Sequence, residues 1–261
     1  ESGLGISAAW GLAPLLGGKS DGNAVGDAMT GVGTGLLPAL LHPDPRAAAV
    51  IGLGPGQTAG WLAAVPGMAR VDVVEIEPAM VRFAELCAST NRDVLNHPRV
   101  RHILGDAREV LNTTRETYDI VVSEPSNPYR AGLAGFFTLD FYQQVNAHLR
   151  PRGVFLQWIQ GYEVDGSALR IAVATLRQVF GHISFWRMSP GDVVMVATHE
   201  PQVFDVGRAR SLLGQEPFAT AFPRIFGYGG VAGVLAMYLG APAMAPMLAG
   251  RSAADRHLLH R

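Results

Sequence analysis

Apolar residues fall in two rhythms along this chain. From residue 45 onward, short, mainly apolar runs alternate with stretches whose apolar positions recur every three or four residues. The runs "AAAVIGL" (47–53), "RVDVVEI" (70–76), "VRHIL" (100–104), "YDIVVS" (118–123) and "GVFLQWI" (153–159) predict buried parallel strands, since a half-exposed strand would alternate polar with apolar. The segments between them, 57–64, 78–90, 107–113, 137–149 and 166–179, predict helices. Such alternation specifies an α/β fold: a parallel sheet covered on both faces. After the last helix, "HISFWRM" and "DVVMVAT" follow one another across the turn "SPGD". That predicts a terminal hairpin, which puts one antiparallel strand into the sheet.

The two ends of the chain read differently. In the first 40 residues "LGISAAWG" and "LAPLLGG" predict short strands, and "KSDGNAVGD" a polar turn. Residues 225–250 carry no charge and are long enough to span a bilayer. Pro242, Pro246 and several glycines interrupt that stretch, so two short packed helices, "VAGVLAMYL" and "AMAPMLAG", are favoured over membrane contact. The expected organisation is an N-terminal β-strand and gate region at 1–44, a nucleoside-binding sheet domain at 45–200 and a helical extension at 201–261.

Composition narrows the function classes. With 261 residues, 48% of them hydrophobic, the chain can bury a full core. A net charge of −1 with scattered basic residues leaves no footprint for nucleic acid. Cys87 is the one cysteine, which excludes an internal disulfide, and the eight histidines show no ligand spacing, so no metal is expected. The chain starts at Glu1 rather than Met, the mark of a processed or truncated chain from which a targeting signal can have been removed. The expected compartment is the cytoplasm.

In a sheet of this kind ligands bind where the strands end. After the first strand, "GLGPGQTAG" offers Gly52, Gly54 and Gly56 for a tight turn, and free N–H groups near Gly56 and Gln57. The second strand ends in "VEIEP", where Glu75, beside Ile76, stands at the position of an acid that accepts from ribose hydroxyls. The third ends in "LGDAREV", where Asp106 either caps the next helix, receives the amine of an adenine, or does both, with Ala107 following. The fourth ends in "VVSEPSNPYRAG" (121–132), where prolines stiffen a loop that presents Ser123, Glu124, Asn127 and Tyr129. A dinucleotide site explains the first two ends alone. An adenosyl-sulfonium cofactor explains all four.

The stretches "LLPALLHPDPRAAAVIGLGPGQTAG", "VDVVEIEPAMV", "HPRVRHILGDAREVL" and "YDIVVSEPSNPYRAGLAGFFTLDFYQQVNAHLRPRGVFLQW" resemble the spermidine synthase (polyamine aminopropyltransferase) family, and in particular its bacterial branch often fused to membrane segments. The resemblance covers about residues 15–200. It implies the Rossmann-like fold of S-adenosylmethionine-dependent methyltransferases and transfer of an aminopropyl group from decarboxylated S-adenosylmethionine to an amine. It also implies a homodimer. On that basis Glu75 would hold the ribose, Asp106 with Ala107 the adenine, and the loop after the fourth strand the amine. Glu124 would be the base, with Tyr129 and Asn127 orienting the acceptor. Beyond the fifth strand, the residues of "LQWIQGYE" themselves offer Gln157, Trp158, Tyr162 and Glu163 to complete an acceptor pocket, with Trp158 more often a core residue.

Several positions depart from the family pattern. Glu124 and Asn127 stand where the family has two aspartates, and Asp21 where it has a glutamine. The gate segment is the bare "GDAMTGVGTG", with Asp27 its only charge. Pro55 replaces an acid in the glycine loop, so the amides near Gly56 and Gln57 stand ready for the carboxylate of intact S-adenosylmethionine. That keeps two alternatives open: an enzyme of the intact cofactor (methyl or aminocarboxypropyl transfer, or cyclisation), and a non-catalytic nucleoside-binding protein.

Overall fold

The computed structural model describes residues 3–7, 11–16 and 19–20 by their backbone, and residues 23–125, 132–160 and 166–240 in full. Strands β1 (Gly3–Ser7), β2 (Gly11–Leu16) and β3 (Lys19–Ser20) form a small antiparallel sheet in the order β1-β2-β3. Helix α1 (Ala28–Leu41) leads into the alternating region: β4 (Ala47–Ile51), α2 (Gln57–Ala63), β5 (Arg70–Glu75), α3 (Pro78–Leu86), β6 (Val100–Leu104), α4 (Ala107–Thr113) and β7 (Tyr118–Ser123). Next come a 3₁₀ turn at Ala134–Phe137, α5 (Leu139–His148), β8 (Leu149–Gln160), α6 (Gly166–Leu176), β9 (His182–Ser189) and β10 (Asp192–Thr198). Helices α7 (Val206–Leu213), α8 (Phe218–Ala221) and α9 (Gly230–Ala236) and strand β11 (Tyr238–Gly240) complete the described chain.

The large sheet has eight strands in the order β11-β9-β10-β8-β7-β4-β5-β6. Strands β8, β7, β4, β5 and β6 run parallel, as the apolar runs predict. The antiparallel part is larger than the expected hairpin, because β11 adds to the edge of β9. The end of "VAGVLAMYL", expected as helix, is therefore strand. Tyr238 there packs edge-on against Trp186 at 5.0 Å, a cross-strand contact that a helix would not provide.

Alternate residues of each central strand enter opposite cores. Val50, Ile120 and Val122 pack with α1 and α2, while Ala49, Ile51 and Val121 pack with α5 and α6. Both faces are covered, which is why these strands read as continuous apolar runs. The chain visits β4, β5 and β6 on one side and then returns to β7 on the other. The β4/β7 boundary is thus the switch point at which a cleft opens beyond the strand ends.

Helix α1 lies in the stretch expected to be a bare gate. Three glycines and Pro38 cost about 1 and 3 kcal/mol each in helix propensity, so packing must hold it. Val32, Leu36, Leu37 and Leu40 are buried in the first core. The glycines are there for contact: a Cβ on Gly31 would meet the Gln57 side chain, and one on Gly35 would lie 2.6 Å from the Thr58 carbonyl oxygen. The small residues therefore let α1 press against α2. At its far end, Arg208 of α7 donates to the carbonyls of Leu40 (2.9 Å) and Ala39 (3.0 Å), satisfying helix-terminal acceptors. Phe218, Phe222 and Phe226 join the same core, so residues 206–226 grip α1.

Candidate active site

Gly52, Gly54 and Gly56 all have positive φ (95°, 50° and 83°), a region side chains rarely adopt. The backbone turns there toward the fourth strand end: Glu124 N–H donates to Ile51 O at 3.1 Å, and a Cβ on Gly52 would lie 3.5 Å from Glu124 O. Around Gly54 there is open space where a ligand can approach the main chain.

The carboxylate of Glu75 is buried and stitches the glycine loop to its own turn. Oε2 accepts from Leu53 N–H and Oε1 from Glu77 N–H, both at 2.8 Å. Each oxygen keeps a further lone pair for a ribose hydroxyl. Ile76 next to it is 68% exposed, and Leu104, ending β6, is 55% exposed. Two apolar side chains left open at adjoining strand ends suit the flat face of a base. Asp106 caps α4 through Arg108 N–H (2.9 Å) and pairs with the Arg108 guanidinium at 2.7 Å. Those hydrogen bonds hold its carboxyl below the usual range despite some burial. Ala107, the first residue of α4, is buried.

Glu124 follows β7 and is half-buried. Its Oε1 accepts from Thr34 Oγ1 of α1 at 2.6 Å and from Thr58 Oγ1 of α2 at 3.0 Å. The two hydroxyls are themselves 2.9 Å apart, and both also lie within reach of the Gly31 carbonyl. The contact of α1 with α2 thus builds the cradle for the acid. Burial of the carboxyl pushes its pKa up to about 7, the threonine hydroxyls pull it back, and the charge of Asp192 adds to the rise. A carboxylate so poised can take a proton from an ammonium near neutral pH.

Sequence reasoning did not find Thr34, Thr58 or Asp192. Asp192, at the start of β10, is buried and accepts from Thr30 Oγ1 (2.6 Å), Ser189 Oγ (2.7 Å) and Trp158 Nε1 (3.1 Å). Buried threonines spaced four apart on α1 were the available signal. Asp27, exposed at the N-cap of α1, receives Asn23 N–H at 2.7 Å. Ser123 is fully buried with no hydrogen-bond partner for its hydroxyl.

Two expectations change. Gln157 is completely buried, and its amide is committed to Tyr142 Oη (2.7 Å) and Phe136 O (2.9 Å) on the α5 side of the sheet. Strand alternation instead turns Trp158 toward Asp192. The N–H of Gly56 closes a turn onto Leu53 O at 2.8 Å, so it is not free to receive a carboxylate. Gln57 uses its side chain on Ala24 O (2.8 Å) and packs against Gly31. Asp21, Asn127, Tyr129, Tyr162 and Glu163 lie outside the described residues. Among the described residues, no group of three or more His, Cys, Asp or Glu side chains could hold a metal ion, and no helix is long and apolar enough to cross a membrane.

The sheet order, with five parallel strands and an antiparallel C-terminal part, defines a Rossmann-like, methyltransferase-type domain. Residues 35–188 match the spermine/spermidine synthase domain, more than half of the chain, and the chain belongs to that family. It is 32% identical over 146 residues to a polyamine aminopropyltransferase of Nitrosomonas europaea, covering 56% of this chain and 45% of that protein. It is 26% identical over 151 residues to the thermospermine synthase ACAULIS5 of Arabidopsis thaliana, 56% of this chain and 44% of that one. The match thus spans about half the length of such relatives. Among solved structures, a spermidine synthase in complex with the transition state analogue AdoDATO superposes with a TM-score of 0.74 at 17% identity, over 95% of this chain and 84% of that one. The spermidine synthase of Thermotoga maritima gives 0.70 at 16%, over 95% and 82%. These two confirm the fold.

Proposed function

We propose that this chain transfers the aminopropyl group of decarboxylated S-adenosylmethionine to an amine. The observation that carries the proposal is Glu124, a carboxyl poised near neutrality at the switch point, beside a glycine turn and two strands across the sheet from the buried acid Glu75. Family membership supports the same reaction.

The sulfonium supplies a good leaving group, so the protein's part is alignment and proton removal. Glu75 holds the ribose hydroxyls, and Asp106 with Ala107 receives the adenine, which lies against Ile76. The acceptor's nitrogen bonds to the propyl carbon, the C–S bond breaks, and methylthioadenosine leaves. Glu124 takes the ammonium proton, and Thr34 and Thr58 keep its Oε1 in place. The closed Gly56 turn favours the decarboxylated cofactor, since it withdraws one donor a cofactor carboxylate would need. The proposal also places the protein in the cytoplasm as a homodimer; sedimentation at micromolar concentration tests the second point.

Incubating the chain with decarboxylated S-adenosylmethionine and putrescine should release methylthioadenosine, followed by chromatography, only when the amine is present. No amine-dependent release from either form of the cofactor, with putrescine or a longer amine, would sink the transferase proposal. Calorimetric titration should show the decarboxylated form binding more tightly; tighter binding of the carboxylated form overturns the cofactor assignment.

A further inference from the structure

The glycine turn after β4 has an open side and a closed one. A Cβ on Gly54 would meet nothing within 4 Å, whereas one on Gly56 would lie 2.6 Å from Val94 Cγ1 and 3.0 Å from Asn91 Nδ2. Gly60 on α2 comes closer still: its Cβ would run into the Asn91 carbonyl oxygen. The segment after α3, residues 87–94, is thus pressed against the back of the turn and the start of α2. The front, at Gly54, is left to a ligand.

Asn91 makes the connection. It is fully buried, and every polar atom of its amide is used. Nδ2 donates to Pro55 O at 2.8 Å and to Ala84 O of α3 at 2.7 Å, while Oδ1 accepts from Val94 N–H at 3.2 Å. One end of the side chain meets two carbonyls and the other an N–H, a set that an amide in this orientation satisfies and a carboxylate cannot. Pro55 brings a fixed φ and no N–H, so its carbonyl is the group left to anchor.

The backbone that delivers Asn91 is strained. Among the described residues three non-glycine residues have positive φ, and two of them follow it directly: Arg92 (60°) and Asp93 (53°). Ordinary side chains disfavour that region, and two in a row persist only where their surroundings hold them. Here the Arg92 guanidinium lies 4.1 Å from the centroid of the Trp61 ring, Trp61 Nε1 donates to Thr90 O at 3.1 Å, and Asp93 N–H donates to Ala88 O at 3.1 Å. Trp61 belongs to α2, so this loop and the helix that follows the glycine turn hold each other.

We propose that Asn91 is the positioning residue of the nucleoside turn. Tied to Pro55 O, it fixes from behind the shape in which Gly54 faces the cofactor, and the left-handed backbone of Arg92 and Asp93 fixes Asn91. The turn is thereby formed before the ligand arrives, and a loop that never touches the cofactor sets its affinity. The identity of that cofactor rests on the transferase proposal above.

Asn91→Asp is the direct test, because it keeps the size of the side chain and the acceptor for Val94 N–H but sets an oxygen against two carbonyls. Methylthioadenosine, titrated by calorimetry, should bind about tenfold more weakly, the effect of one buried hydrogen bond. The KM for decarboxylated S-adenosylmethionine should rise with it while the KM for the amine stays, and the Gly56 amide should exchange its hydrogen faster. Asp93, which is exposed, supplies a second pair of variants at a position that leaves the core intact. Valine tolerates positive φ poorly, so Asp93→Val should reproduce the loss of affinity; Asp93→Gly, at ease in that backbone, should bind like the parent. Both remove the same surface contact with Asn96, so their difference reads the backbone alone. Parent affinity and parent Gly56 exchange in Asn91→Asp, or equal affinities in Asp93→Val and Asp93→Gly, overturn the proposal. Weakened nucleoside binding in Asn91→Asp and Asp93→Val, with no amine-dependent release from the parent, removes the transferase proposal and leaves Asn91 in its role. Amine-dependent release at the parent KM in both variants does the reverse.

Discussion

Glu124→Gln should lower aminopropyl transfer by about 10²–10⁴-fold, the usual contribution of a positioned general base, while methylthioadenosine binds nearly as before. The substitution keeps the shape of the side chain and an oxygen for Thr34 and Thr58 to donate to. It removes only the capacity to accept the ammonium proton. In the unsubstituted protein the base must be ionised to work, and its pKa is pushed up to about 7, by burial first. The rate of transfer should therefore climb with pH and level off above about 7, and the residual activity of the glutamine variant should lack that climb. A variant that turns over at an unchanged rate with the same pH profile would remove Glu124 from the mechanism.

The same group leaves a mark on stability with a definite sign. Its folded pKa lies above the ordinary value of 4.5, so the folded state holds the proton more tightly than the unfolded chain. The stabilisation is complete below pH 4.5 and is lost as pH rises through about 7. Its ceiling is about 3 kcal/mol, and partial exposure of the side chain reduces it. Glu124→Gln should thus raise the Tm at pH 8 and change it little at pH 4, as read by calorimetry. Gain of stability with loss of turnover would show a residue retained for chemistry at the expense of the fold.

What the sequence shows and hides follows from where each contact comes from. The central parallel strands are legible because burial on both faces leaves largely apolar runs. Strand β6, expected to be buried like them, lies instead at the sheet edge and is half-exposed along its length. The site ends are legible because each run stops at or next to a glycine or an acid. Asp106 could be seen as a cap because its partner is two residues away. Asp192 could not be connected to Glu124, because their link runs through Thr30 and Thr34 on a helix remote from both in the chain. Gln157 and Trp158 were both visible as polar or aromatic residues on one strand, but periodicity alone does not say which face looks into the cleft. Helix α1 was hidden for a different reason: its glycines lower local propensity so that its packing can be close, and only the neighbouring helix shows why.

That close packing predicts opposite outcomes for two glycines on one helix. Gly33→Ala should be near neutral, because the added methyl meets the sulfur of Met188 at 2.7 Å, the end of a flexible side chain, and the edge of Phe226 at 3.2 Å. Replacing glycine with alanine inside a helix returns about 1 kcal/mol, enough to offset that adjustment. Gly35→Ala gains the same propensity but places its methyl 2.6 Å from the Thr58 carbonyl oxygen, which is main chain and cannot turn aside. Overpacking of this kind costs about 1–3 kcal/mol, so the net change should be destabilising. Relief requires α1 and α2 to part, and the two threonine hydroxyls that meet on Glu124 come one from each helix. Gly35→Ala should therefore lower both the midpoint of urea unfolding and the rate of transfer, and it should shift the pH at which that rate levels off, while Gly33→Ala leaves all three close to the parent. If the two variants unfold and turn over alike, the α1–α2 contact does not hold the base, and the cradle around Glu124 has another origin.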